Sequence, residues 1–143
     1  DRYLGYCKSM MEHGKKVRDE WVMDDRDWET GDVASFEMKF PERMPTAFVC
    51  NCDLTAGILI NNLRKNNYSV PDDISVVGFD NFIYPGICDI GITTYDPNIK
   101  GMAQKSISVL LDKMNNIKSK SRVSVIGGEI VYKESVRRIS PSA

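Results

Sequence analysis

The chain has 143 residues, of which 42% are hydrophobic and 27% charged, and its formal net charge at pH 7 is −1. That length allows one domain with a buried core, and the composition is ordinary for a globular protein. A nearly neutral chain gives no bulk electrostatic reason to bind nucleic acid or a membrane, and no apolar run is long enough to cross a bilayer. Most of the four cysteines lie in or beside apolar stretches, which favours reduced thiols and a cytosolic location.

The amino-terminal part combines one helical pattern with short irregular stretches. Apolar residues recur on one helical face over residues 3–11, and Gly14 is suited to end that helix. Residues 21–23 form a short apolar run that predicts a strand, and the acidic residues 24–32 are typical of a turn. Residues 33–40 show a short helical face that ends before a proline.

The most regular pattern lies in the middle of the chain. Two short apolar runs without alternation, Ala47–Cys50 and Ile74–Phe79, are typical of strands buried on both faces. Apolar residues recur at helical spacing between them, with Asp53 at the expected N-cap and Asn66 where the helix should end. We therefore predict a β-α-β unit with a right-handed crossover and two parallel, neighbouring strands.

Polar side chains follow both predicted strands. Asn51 and Asp53 come after the first strand, and Asp80 and Asn81 after the second. Because ligands bind outside the carboxyl ends of parallel strands, this edge is predicted to offer hydrogen bonds to a small polar ligand. Asp80 is favoured as the ligand contact, since Gly78 brings the backbone close and no helical pattern follows at once. Asp53 is better explained as a helix cap.

The next segment predicts a loop, an extended piece and a long helix. Residues 82–91 contain the glycine and proline typical of a loop, and residues 92–95 are extended. Asp96 and Pro97 suit an N-cap and a first helical position, and an apolar stripe then runs over about five turns to Ile117.

Two short strands are predicted near the carboxyl end. Val123–Ile126 and Glu129–Tyr132 are strand-like and are separated by a glycine pair that suits a tight hairpin or a bulge. The tail from residue 140 is predicted to be disordered.

Residues Val70–Asp80 read Val-Pro-Asp-Asp-Ile-Ser-Val-Val-Gly-Phe-Asp, which resembles, almost letter for letter, a motif of the lac-repressor/gal-repressor family of bacterial transcription regulators. Pro45–Ala47, Ile92–Tyr95 and Arg2–Tyr6 resemble other segments of that family, so the resemblance covers nearly the whole chain. It implies an α/β fold, the three-layer parallel-sheet half-domain of a periplasmic-binding-protein-like (type I) fold, with a ligand held between two half-domains.

The resemblance also implies a division of the chain. Residues 1–95 would be the carboxyl-terminal half-domain, and residues 96–122 a crossover segment and a helix of the first half-domain. Residues 123–139 would return as one or more strands, and residues 140–143 would be a tail. On this interpretation the chain is a fragment without its DNA-binding domain. The apolar face of the predicted helix then needs another partner, and we expect self-association through it.

The resemblance assigns candidate ligand contacts besides Asp80. The family's arginine matches Arg2, whose planar fork suits paired hydrogen bonds to hydroxyls or a carboxylate. Trp28 stands where family members carry an aromatic ring against the ligand, although it could equally anchor its own loop. Cys52 occupies the place of the family's asparagine and is a weak donor and acceptor, and Cys52 and Asp53 would line the edge of the site.

The sequence gives little support for catalysis. The only histidine is His13, and no Ser-His-Asp or Cys-His arrangement can be built around it. Cys50 and Cys52 are not joined by a second Cys or His pair that would complete a zinc site. We expect no enzyme activity, no metal and no cofactor.

We therefore interpret the chain as the effector-binding and dimerisation region of a DNA-binding transcription regulator. The expected partners are a sugar or nucleoside-like effector, a second copy of the chain, and DNA only through a domain outside this chain, with no membrane. The alternatives are a solute-binding protein for sugar import and a protein-interaction module on the same fold.

Overall fold

A computed structural model describes residues 2–33, 38–82, 85–117 and 123–138. Three helices, four strands and one short 3-10 helix make up its regular structure. In chain order these elements are α1 (Arg2–Glu12), the 3-10 helix (Asp19–Trp21), β1 (Ala47–Val49), α2 (Asp53–Lys65), β2 (Ser75–Phe79), β3 (Thr93–Asp96), α3 (Ile99–Met114) and β4 (Glu129–Val131).

The four strands form one sheet in the order β1-β2-β3-β4. The first three strands are parallel, with Phe48 opposite Val76 and Gly78 opposite Thr94, and β4 joins β3 antiparallel. The predicted β-α-β unit and the α/β class are confirmed. The carboxyl ends of β1 and β2 therefore meet at one edge of the sheet, as the sequence predicted.

The core lies between α2 and one face of the sheet. Within α2, Ala56, Ile60 and Leu63 are fully buried, and they face apolar residues of β1 and β2. The buried apolar residues are Met38, Phe48, Ala56, Ile58, Leu59, Ile60, Leu63, Val70, Ile74 and Val76. Burying these side chains stabilises α2 across the β1–β2 pair and fixes the direction in which both strands end.

Ser135 ties the segment after β4 to the centre of the sheet. Its side chain is fully buried. Its hydroxyl donates to the carbonyl of Val76 at 2.6 Å and accepts from the N–H of Thr93 at 2.8 Å. These bonds satisfy backbone groups of β2 and β3 that would otherwise be buried without partners.

Two predicted strands are wrong. Within the described residues Trp21–Met23 pairs with no strand; Trp21 ends the 3-10 helix, and its indole N–H donates to the carbonyl of Arg43 at 2.9 Å. Residues 123–126 are also irregular, with Val125 88% exposed, and among the described residues β4 pairs only with β3. The predicted helical face at residues 33–40 includes Phe36, which lies outside the described residues, as does the tail from residue 140.

Two predicted helix starts are shifted. Cys52 is the N-cap of α2, so Asp53 is the first helical residue and does not cap the helix. Asn98, with φ of 55°, is the N-cap of α3, and its side chain accepts from the N–H of Gly101. Asp96 instead ends β3, so the helix begins two residues later than the sequence pattern predicted and ends at Met114.

Helix α3 contributes no buried residue, and several of its apolar side chains are exposed. They are Ile99, Met102, Ile107, Leu110, Leu111 and Met114, with Ile117 just beyond the helix end. The predicted apolar stripe is therefore present and is not covered by the described part of the chain.

Among the described residues, no helix combines the length and the apolar character needed to span a membrane.

Candidate functional site

Arg2 and Asp80 meet at the edge where β1 and β2 end. Arg2 Nη2 lies 3.1 Å from Asp80 Oδ1, and Arg2 Nη1 donates to the carbonyl of Asn51. The Arg2 guanidinium also lies 4.0 Å from the centroid of the Phe79 ring, which stacks on Tyr95 with 5.2 Å between ring centroids. The structure thus places side by side Arg2 and Asp80, two predicted ligand contacts that are 78 positions apart in the sequence. We define the rim as this edge of the sheet with the side chains of Arg2, Asp25, Asn51, Asp80 and Asn81.

Asp25 also belongs to the rim, and the sequence had not indicated it. Its carboxylate accepts from the Asn51 side-chain amide and, at 3.4 Å, from the Thr55 hydroxyl. Arg26 donates to both of its oxygens, from Nε at 2.8 Å and from Nη2 at 3.0 Å. The hydrogen bond from Arg26 is the main reason that the pKa of Asp25 lies below its usual value. No sequence pattern distinguishes Asp25 from the other acidic residues of this loop.

Trp28 lies in the same loop as Asp25. Its indole N–H donates to Asp24 at 2.9 Å, and its side chain is 76% exposed. The loop is shaped by Asp27, whose carboxylate accepts from the N–H groups of Glu29 and Thr30, both at 2.8 Å. The contacts of the Trp28 indole therefore stay within the loop, while its exposed ring leaves an apolar surface open to solvent.

Cys52 is half-buried at the start of α2. Its thiol lies 3.4 Å from the Thr55 hydroxyl, and that hydroxyl also reaches Asp25. Cys52 therefore contacts Thr55, which in turn contacts Asp25 of the rim, so Cys52 lies near the predicted ligand edge. Its neighbour Cys50 is held as the neutral thiol, because burial raises its pKa.

Asp53 lies beneath the rim and is only 3% exposed. Its Oδ2 accepts from the N–H of Phe82 at 2.9 Å, and its Oδ1 has no hydrogen-bond partner among the described residues. A Cβ at position 78 would overlap Oδ1, so glycine is required there to make room for the carboxyl group. Burial raises the pKa of Asp53, and the nearby Thr94 hydroxyl, the Phe82 N–H and the charge of Lys133 oppose that rise.

Asp80 and Asn81 form a tight turn after β2. Their φ angles are 107° and 49°, both in the left-handed region that costs energy for residues other than glycine. The N–H of Asp80 donates to the carbonyl of Tyr95 at 3.0 Å, and the N–H of Asn81 reaches the Thr94 hydroxyl at 3.3 Å. This turn directs the Asp80 carboxylate toward Arg2.

The rim therefore offers several kinds of recognition in one place. The Arg2 guanidinium supplies donors, the Asp80 and Asp25 carboxylates supply acceptors, and the Asn51 amide can do both. Each of the two carboxylates already has an arginine partner, so their negative charges are compensated. Among the described residues no group of three or more His, Cys, Asp or Glu side chains is placed to hold a metal ion.

The chain as a whole matches a known family of domains. The family model described as "Periplasmic binding protein-like domain" matches residues 1–136 of the chain. The chain is 28% identical over 141 residues to the HTH-type transcriptional repressor PurR of Vibrio campbellii. That match covers 98% of this chain and 42% of the repressor, so the chain spans less than half the length of this relative.

Solved structures show the same fold. A LacI-type transcription regulator from Bifidobacterium animalis subsp. lactis superposes with a TM-score of 0.74 at 24% identity, over 96% of this chain and 50% of that one. A LacI family regulator from Lactobacillus casei with bound sucrose superposes with a TM-score of 0.70 at 21% identity, over 94% of this chain and 50% of that one.

Replacing Asp53 with Asn should change how stability depends on pH. Because the pKa of Asp53 is raised in the folded chain, the native state binds more protons than the unfolded state between the two pKa values. As the pH rises from about 4, the free energy of unfolding of the wild type should therefore fall relative to that of Asp53→Asn. The expected loss is roughly 1.4 kcal/mol for each unit by which the pKa of Asp53 differs between the folded and unfolded states. Urea unfolding at several pH values measures the free energy of unfolding of both proteins. The same pH dependence in the wild type and in Asp53→Asn would contradict the prediction.

Proposed function

The chain belongs to the periplasmic binding protein-like domain family, and from that membership and the rim geometry we propose that the rim binds a small, neutral, polyhydroxylated ligand. A sugar or a nucleoside-like polyol has this chemistry. Arg2 and Asp80 are the proposed main contacts, and Trp28, Cys52 and Asp53 contribute to the wall and the floor of the site.

The observation that carries this proposal is the Arg2–Asp80 pair, whose guanidinium lies over the Phe79 ring. A guanidinium beside a carboxylate presents donors and acceptors side by side, which is what adjacent hydroxyl groups require because each hydroxyl both donates and accepts. The neighbouring Asn51 amide adds another group of mixed character. The exposed ring of Trp28 supplies an apolar surface of the kind that packs against the carbon face of a sugar ring.

Charge compensation at the rim favours a neutral ligand. The Arg2 guanidinium is paired with Asp80, and the Arg26 guanidinium with Asp25. A carboxylate or phosphate ligand would have to compete with these pairs for the arginine donors, whereas hydroxyl groups can add hydrogen bonds without displacing either charge. The LacI family regulator from Lactobacillus casei was solved with sucrose, a ligand of this class.

We propose that the ligand acts as the effector of a DNA-binding transcription regulator. The relative from Vibrio campbellii is a repressor of the helix-turn-helix type, and the chain matches 42% of it. On this proposal the DNA contact is made by a part of the protein outside this chain. The ligand alters DNA binding only if its affinity differs between the two regulatory states.

We also propose that the exposed face of α3 mediates dimerisation. Its six large apolar side chains form a surface that soluble proteins normally cover. Most helices are stabilised by packing of an apolar face and only weakly by their intrinsic helix propensity. Because α3 contributes no buried residue, it lacks that packing within the described part of the chain. A second copy of the chain can supply that packing.

The ligand proposal predicts that two conservative variants differ in how far a ligand raises their melting temperature. Sucrose, D-ribose and adenosine are the probes, and a ligand at 100 times its dissociation constant stabilises the folded state by about 2.7 kcal/mol, or roughly 5–10 °C in melting temperature. Asp80→Asn should abolish the shift, because it removes the charge that orients Arg2. Asp72→Asn breaks another surface ion pair, with Arg137, and should leave the shift intact.

Thermal unfolding with each probe makes this measurement. A shift that survives Asp80→Asn would place the ligand elsewhere on the chain. The absence of any shift in the folded protein would favour the protein-interaction alternative, in which a macromolecular partner occupies the rim.

The dimerisation proposal predicts a mass that depends on α3. Leu110→Glu, near the middle of the exposed apolar face, should convert a dimer into a monomer because a buried carboxylate in an interface is strongly unfavourable. Light scattering at high protein concentration measures the mass. A monodisperse monomer for the wild type would contradict the proposal. Ser108→Glu, at an exposed position on the other side of the same helix, adds the same single negative charge and is the control.

A further inference from the structure

The side chain of Asn81 connects three separate parts of the fold. Its Nδ2 donates to Asp96 Oδ2 at 3.0 Å, at the end of β3. Its Oδ1 accepts from Lys133 Nζ at 2.9 Å, just after β4. Asn81 itself follows Asp80, so one amide group joins the rim to the ends of two other strands.

Asparagine is chemically suited to this position. Asp96 is a carboxylate and needs a donor, whereas Lys133 is an ammonium group and needs an acceptor. Of the side chains of this size, only an amide supplies both at once. The hydrogen bond from Asn81 is also the main reason that the pKa of Asp96 lies below its usual value.

The backbone at this turn needs such support. Asp80 and Asn81 both have positive φ angles, and Asn is one of the few residues besides glycine that tolerate the left-handed region. Consecutive residues in this region are held only where surrounding contacts determine them. Here the two side-chain bonds of Asn81 add to the backbone bond from the N–H of Asp80 to Tyr95.

The network continues from Asp96 into helix α3. Asp96 Oδ1 accepts from the N–H of Asn98 at 2.7 Å, and Asn98 is the N-cap of α3. The Asn98 side chain accepts in turn from the N–H of Gly101 at 3.0 Å. Hydrogen bonds thus run without a break from the residue next to Asp80 to the first turn of α3.

We propose that Asn81 is a positioning residue that fixes the Asp80 turn relative to the start of α3 and to the segment after β4. A displacement of Asp80 is transmitted through the Asn81 amide to Asp96 and from there to the N-cap of α3. That a ligand causes this displacement rests on the proposed function. The mechanical link itself does not depend on any ligand.

A pair of substitutions tests the link without a ligand. Asn81→Asp places two carboxylates against each other and should raise the exchange rates of the amides of Asp80 and Gly101 by about tenfold, as expected when roughly 1.4 kcal/mol of local stabilisation is lost. The double variant Asn81→Asp with Asp96→Asn restores a donor opposite an acceptor and keeps the acceptor for Lys133. It should return both amides to near the wild-type rate.

Hydrogen–deuterium exchange followed by NMR on the 143-residue chain makes this measurement. Asn67→Asp is the matched control, since Asn67 also has a positive φ, of 64°, but lies exposed after α2. It should leave the amides of Asp80 and Gly101 unchanged. Amides within the core of α2 should be unchanged in every variant, which separates a local link from a general loss of stability.

Two results would overturn the proposal. The first is a double variant that exchanges as fast as Asn81→Asp, because the complementary pair would then have no effect. The second comes from Asn81→Gly, which suits the backbone conformation and removes only the side chain. If Asn81→Gly leaves the amides of Asp80 and Gly101 protected, the Asn81 side chain does not position the turn. Should Asn81→Asp fail to fold, Asn81→Gly alone tests the proposal.

Discussion

The parallel pairing of β1 with β2, with α2 packed across it, determines where the polar groups of the rim lie. Ile60 and Leu63 of α2 are fully buried against these strands, so the helix cannot shift along the sheet without exposing apolar surface. Both strands must therefore end at the same edge. Asn51 and Asp80, 29 residues apart in the sequence, become neighbours of the same arginine.

The same packing explains why this edge tolerates unfavourable local features. Asp53 is a buried carboxyl, one oxygen of which has no hydrogen-bond partner among the described residues, and Asp80 and Asn81 have positive φ angles. Each of these costs stability alone, and such costs are commonly retained where a site requires a particular geometry. The hydrogen bonds from the Phe82 N–H to Asp53 and from Lys133 to Asn81 hold these features from two sides.

Much of the fold could be predicted from the sequence because its strongest signals are local. The buried runs of β1 and β2 and the helical spacing of α2 follow from periodicity alone, and the expected rim follows from the rule on parallel strands. Trp21–Met23 was wrongly predicted as a strand because three apolar residues are a weak signal. Trp21 instead ends a 3-10 helix and donates to the distant carbonyl of Arg43, a contact that composition does not report.

The rim was only partly predictable for a related reason. Asp80 and Arg2 were identified from a strand end and from a family resemblance, and the structure brings them together. Asp25 could not be distinguished from its acidic neighbours, since its contacts with Asn51 and Arg26 depend on the path of an irregular loop. The part played by Asn81 depends on Asp96 and Lys133, which are distant in sequence and carry no pattern that relates them.

Binding of a small polyhydroxylated ligand at the rim is tested by mapping the chemical shift changes that a ligand induces. Backbone and side-chain resonances of the chain would be followed during titration with sucrose, D-ribose and adenosine. If the ligand binds there, one of these probes should shift the resonances of Arg2, Asn51, Asp80 and Asn81, with little change at the carboxyl ends of α2, near Lys65, and of α3, near Met114. Changes confined to another surface, or no change with any probe at millimolar concentration, would contradict it.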